Sequence, residues 1–216
     1  EDWITIMAAP GENPKIASCE LRSCCRWRLK GFTVSPSFKT PYKRTTLVNF
    51  LSHSWTGPSL ECIVEGCTGY SVPDASTWTK EQWDTLSCNA VSLPGYAMVA
   101  RRNVFRNVNF GIVVTGDSCL VEYNTVENFA GDGLRGLGDH GVFQYNVIKN
   151  CYDVNENHDD GFQSWSVGDS GKVGTGVVYG IILRGNTIIN YEHPDQPFRG
   201  TLQGIGCFDG MFENWV

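Results

Sequence analysis

At 216 residues and 41% hydrophobic content, the chain is long enough to bury a continuous core. Its 24 glycines and 19% charged residues suit a turn-rich all-β protein better than a helical one. A net charge of −6 with no Lys/Arg block argues against nucleic acid as a partner, and no apolar run is long enough to cross a membrane as a helix.

Taken in chain order, Ile4-Thr5-Ile6-Met7 lies in a strand-like opening over residues 1–10. Trp27-Arg28-Leu29-Lys30 and Cys62-Ile63-Val64-Glu65 then read as strands of early coils. Between and after them come two excursions, residues 36–60, rich in Ser, Thr and Pro, and residues 72–93. Within the second, residues 76–86 begin with hydroxyls and place Trp78, Trp83 and Leu86 near helical spacing, which predicts one short helix. Its tryptophans are expected to anchor it to the coil, the alternative being a sugar-binding wall. Nine cysteines show no CxxC pair and no zinc-like Cys/His spacing. Several sit in apolar runs and read as small buried hydrophobes, with one or two disulfides as the alternative.

The strongest signal is a repeat. The pattern apolar-x-x-Asn-x-apolar-x-Asn recurs at Ala100-Asn103-Phe105-Asn107, Val121-Asn124-Val126-Asn128, Phe143-Asn146-Ile148-Asn150 and Leu183-Asn186-Ile188-Asn190. The first asparagines lie 21, 22 and 40 residues apart. Spacings in the low twenties suit coils of a parallel β-helix, and the long gap is one coil carrying a Gly-rich insertion over residues 167–180. A single coil cannot bury its apolar face, so stacked coils share one core. Asparagines at one point of successive coils are expected to stack as an amide ladder and to tolerate left-handed backbone at the bend. The fold class predicted is therefore all-β, a right-handed parallel β-helix over residues 1–216 with loop insertions and one short helix. Both ends look cut, at Glu1-Asp2-Trp3 and at Asn214-Trp215-Val216. A fragment of a longer protein, or end-to-end or trimeric self-association that covers the ends, is the expectation.

With the ladder as register, Gly111-Ile112-Val113-Val114, Gly133-Leu134-Arg135-Gly136, Gly161-Phe162-Gln163-Ser164 and Gly204-Ile205-Gly206-Cys207 align. This puts Asp132 under the pair Asp159 and Asp160 on one outer edge, about 5 Å apart, with Arg135 and Gln163 in one column. Three close carboxylates repel one another unless a cation lies between them, and oxygen ligands on a rigid edge suit Ca²⁺. His158 and Arg135 are alternative sources of that charge. The competing explanation is that Asp-Gly only makes the turn, which needs a single Asp.

The segment Asn157-His158-Asp159-Asp160-Gly161-Phe162-Gln163-Ser164-Trp165, preceded by Gly131-Asp132-Gly133-Leu134, resembles the calcium-binding edge of β-helical polysaccharide lyases, notably pectate lyases. The opening Ile4-Thr5-Ile6-Met7-Ala8-Ala9-Pro10-Gly11-Glu12 is similar to an early strand of that superfamily, which includes alginate lyases and mannuronan epimerases. The resemblance implies Asp132, Asp159 and Asp160 as metal ligands and a fourth ligand at Gln163. It also implies a basic residue on a later coil of that column, where this chain has Gly206. Arg135, Arg199 and His158 are the candidate substitutes, although a guanidinium is a poor base. Gln163, Trp165 and His193 are candidate substrate contacts.

The function expected is cleavage of an acidic uronate polymer by a lyase, or its conversion by an epimerase, with Ca²⁺ acidifying the sugar C–H. The alternatives are a glycoside hydrolase using an Asp pair and a non-catalytic, tailspike-like glycan binder. An acidic polysaccharide partner implies a secreted protein or one on a virion surface.

Overall fold

The computed structural model describes residues 2–216; the strand-like opening predicted from residue 1 lies outside them at Glu1 only. Three parallel seven-stranded sheets, here A, B and C, run the length of the described chain and form a right-handed parallel β-helix. One coil shows the plan: Leu120–Glu122 in sheet A, Thr125–Phe129 in sheet B, Leu134–Gly136 in sheet C. The next coil repeats it one strand further on, with Val121 paired to Phe143, Val126 to Ile148, and Leu134 to Phe162.

Alternation within each short strand decides what enters the bore. In sheet C, Val91, Ile112, Leu134 and Phe162 form one inward column, all buried. Val64, Ala100, Val121 and Phe143 form another in sheet A. Fully burying such a Val, Leu, Ile or Phe side chain stabilises by roughly 1.5–3 kcal/mol. The repeat therefore supplies its own core, each coil covering the next.

The two asparagine columns have different jobs. Asn103, Asn124, Asn146 and Asn186 form the expected ladder: Asn124 Nδ2 donates to Asn146 Oδ1 (3.0 Å), and Asn146 Nδ2 to Asn186 Oδ1 (2.9 Å). The left-handed residue at that bend is the one before the asparagine, Arg102, Tyr123 or Tyr145. In the second column the asparagines themselves are left-handed, with φ of 52° at Asn107, 53° at Asn128 and 63° at Asn150.

Three expected excursions contain hidden strands. Residues 36–60 include Thr46–Leu51, and residues 72–93 include Asn89–Leu93, both in sheet C. The insertion over 167–180 includes Val177–Tyr179, which pairs in parallel with Met211–Glu213. The first two bury three apolar residues each, Leu47, Val48 and Phe50, and Ala90, Val91 and Leu93, and the third only Val178, short runs that the Gly, Ser and Thr around them mask. The helix is shorter than predicted, Lys80–Leu86, because Thr79 and Gln82 cap it reciprocally and start it there. Trp83 is buried and stacks on Tyr152 at 4.5 Å, so it does anchor the helix, in a small outboard core with Ala75, Ala130 and Val154. All nine cysteines are free thiols, five of them buried.

Close stacking of coils also explains Gly111. A Cβ there would lie 2.1 Å from the Gly133 carbonyl oxygen of the next coil. Gly111→Ala is expected to cost about 3 kcal/mol, read as a lower urea midpoint with an unchanged slope.

Candidate active site

The outer face of sheet C carries a column in which Val113, Arg135, Gln163 and Gly206 are successive register partners. The turn before it holds Asp132 and Asp160 one above the other. Gly111 N donates to the Asp132 carbonyl and Gly133 N to the Asp160 carbonyl, both at 2.9 Å. Asp160 N also donates to Asp132 Oδ1 at 3.0 Å. Expected alignment and observed alignment agree here, since parallel pairing carries the register from coil to coil.

Arg135 is fixed from three sides. Its Nε donates to Asp132 Oδ2 (2.5 Å), and its guanidinium lies 3.7 Å from the Phe110 ring centroid and 5.0 Å from that of Trp165. The two Nη groups have no hydrogen-bond partner among the described residues, and the side chain keeps 17% of its exposure. A planar cation held this way presents a preorganised fork for a carboxylate.

Asp160 is fully buried, and neither carboxylate oxygen has a hydrogen-bond partner among the described residues. Gly206 makes room for it, because a Cβ there would lie 2.4 Å from Asp160 Oδ1. That accounts for the missing basic side chain: this position is filled by the Asp160 carboxylate. His158 lies beside it, with Nδ1 3.9 Å from Asp160 Oδ2 and 3.5 Å from Gln163 Nε2. Its side chain is 61% exposed and meets the Phe208 ring edge-on at 6.2 Å. The buried acid thus backs an imidazole that faces solvent.

Burial pushes the Asp160 carboxyl up from 3.8 to about 6, and the charge on Asp132 adds to the shift. Burial likewise raises Asp159 to about 6, against the opposing hydrogen bonds of Asn157 and Cys151. A carboxyl with a higher pKa folded than unfolded holds more protons in the folded state between the two values. Stability is therefore greatest below about pH 4 for these groups and is lost as pH rises through about 6. Thermal midpoints are expected to fall across that window. Asp160→Asn should flatten the fall and raise stability at pH 7 by on the order of 1 kcal/mol.

The carboxylates expected to bind calcium have protein partners of their own. Asp132 spends both oxygens on Arg135 and the Asp160 amide, while Asp159 accepts from Asn157 Nδ2 (3.2 Å) and Cys151 Sγ (3.4 Å). Among the described residues no three His, Cys, Asp or Glu side chains converge to hold a metal ion. Asp132, Asp159 and Asp160 are neighbours along the chain and across coils, yet adjacent residues point different ways, which spacing alone did not reveal. Asp159 lines a depression of about 240 Å³ together with Asp153, Asn157, His158 and Thr201.

The remaining candidates divide. Trp165 lies beside Arg135 and Gln163 beside His158. Arg199 instead lies over the Tyr191 ring at 5.2 Å, and His193 lines another depression with Asn150, Tyr152 and Glu192. Among the described residues neither forms a hydrogen bond, ion pair or ring contact with Asp132, Arg135, His158 or Asp160. Two edge residues escaped the sequence reading, Phe110 and Phe208. Both were legible as the aromatic positions flanking the Asp and Gln columns, one before Gly111 and one after Cys207.

No family model and no curated protein matches the chain. Among solved structures, a GH136 lacto-N-biosidase from Eubacterium ramulus is similar at 12% identity and a TM-score of 0.33. The alignment covers 95% of this chain and 46% of that one, so the chain spans about half the length of the protein it matches. Its fold assignment rests on its own three sheets.

Proposed function

We propose that the outer edge of sheet C is a catalytic site that cleaves a uronate-containing glycan by β-elimination. The observation that carries this reading is the pairing of a clamped guanidinium, its Nη fork free, with an exposed imidazole backed by a buried, unpartnered carboxylate. Arg135 would receive the sugar carboxylate, and Trp165 and Phe208 offer ring faces to the pyranose. His158 removes the proton alpha to that carboxylate; the imidazole is the side chain suited to proton transfer near neutral pH. The electron pair moves toward the carboxylate, where Arg135 stabilises the developing charge. It then forms the carbon–carbon double bond as the glycosidic C–O bond breaks, and the imidazolium returns the proton to the departing oxygen. Asp160 acts on His158 alone, orienting the ring and stabilising its cation. A polymer substrate of this kind places the protein outside the cell or on a virion surface.

The test is incubation with uronate polysaccharides in the presence and absence of a chelator, followed by ultraviolet absorbance of the unsaturated product. Product that persists with chelator supports the reading; product that vanishes would show that calcium, not Arg135, neutralises the carboxylate. A second reading rests on the raised pKa of Asp160 beside Asp132, an acid and carboxylate pair of the sort glycoside hydrolases use. New reducing ends without unsaturation would favour it.

A further inference from the structure

The outward column of sheet C extends far beyond the proposed reacting centre. Register partners continue from Arg135 through Val113, Ser92 and Asn49 to Glu20, across four strand steps. Their inward neighbours Val48, Val91, Ile112 and Leu134 are buried, so alternation keeps this column on the surface. Strands stack at about 4.8 Å, close to the advance of one pyranose unit in an extended chain, so a glycan lying along the axis meets about one position per sugar.

Charge along this track is sparse. Val113, Ser92 and Asn49 are uncharged, and so are the flanking Phe110, Thr115 and Leu137. On the other side of Arg135 come Gln163 and Gly206, next to the Asp160 carboxylate. Arg44, in the turn before the Asn49 strand, is held on the Ser87 carbonyl at 2.8 Å. The next cations lie at the far end: Arg22, whose Nε donates to Glu20 Oε1 at 3.0 Å, and Lys39 and Lys43, which line a depression with Glu20. A polymer with a carboxylate on every sugar would set several of them against neutral or acidic side chains, with nothing to offset their desolvation.

We infer that the substrate is a heteropolysaccharide in which the uronate held by Arg135 is flanked by uncharged sugars, rather than a homopolyuronate. This rests on the lyase reading and specifies which acidic glycan it concerns. The experiment compares initial rates of unsaturated product formation on two homopolyuronates, polygalacturonate and alginate, and on two alternating polymers, the rhamnogalacturonan backbone and hyaluronan. At least one alternating polymer is expected to show kcat/KM about tenfold or more above either homopolymer, as one uncompensated carboxylate near this face would produce. Val113→Lys, which puts a cation one strand from Arg135, should raise the rate on homopolymer several-fold; Ser92→Lys, two strands away, repeats the test at a second position. Equal or better cleavage of the homopolymers by the wild-type protein would overturn the inference and leave the lyase reading standing. No unsaturated product from any of the four would overturn both.

Discussion

His158→Ala is expected to lower turnover on a uronate glycan by roughly 10²–10⁴-fold while the protein remains folded, the range over which a positioned acid–base group contributes. The side chain is 61% exposed and makes no core contact, so its loss leaves no cavity. Asp160→Asn should have a smaller effect on rate and a distinct one on the pH profile. The amide keeps the shape of the carboxylate but removes its charge 3.9 Å from His158 Nδ1, so the part of the pH dependence that follows Asp160 ionising at about 6 should disappear. Asp159→Asn is the contrasting variant. Its carboxylate faces Cys151 and Asn157, and activity should change by less than about threefold, within the range of a group that makes no transition-state contact. If His158→Ala kept wild-type turnover, the proton would have to be moved by another group and the proposed site would be wrong.

The largest expected effect on stability lies elsewhere, in the asparagine ladder. Asn124 is 1% exposed, and its amide serves two coils. Oδ1 accepts from Asn103 N (3.0 Å) and Asn103 Nδ2 (2.9 Å), while Nδ2 donates to the Ala100 carbonyl (2.9 Å) and to Asn146 Oδ1 (3.0 Å). Asn124→Ala strands a buried backbone N–H and a buried carbonyl, each costing about 1–3 kcal/mol, and breaks the ladder in its middle. A loss of about 3–5 kcal/mol is expected, measured by equilibrium urea unfolding. Asn186→Ala, at a half-buried rung, should cost clearly less. Equal losses at both positions would mean that burial does not set the ladder's strength.

Gly206 shows how far sequence could go at the site. As a letter it marks the absence of a basic residue, and only the packed structure reveals that the absence is filled by the carboxylate of Asp160. Arg135 is similar. Its column was readable from register, but its engagement by Asp132, Phe110 and Trp165 depends on three segments brought together across coils. Asp159 differs again: it is next to Asp160 in sequence, yet its carboxylate accepts from Cys151 and Asn157, partners that spacing does not name.

What the sequence determined by itself was everything periodic. Coil length, inward columns, the amide ladder and the vertical alignment of Asp132 with Asp160 all follow from a spacing in the low twenties repeated in parallel register. Tertiary structure decided what does not repeat: the strands hidden in the excursions, the clamp on Arg135, and the turning of Asp159 away from its neighbours. The physical reason is one of range. Periodic burial is written into local spacing, whereas the direction and charge state of a side chain are set by partners that arrive from distant coils.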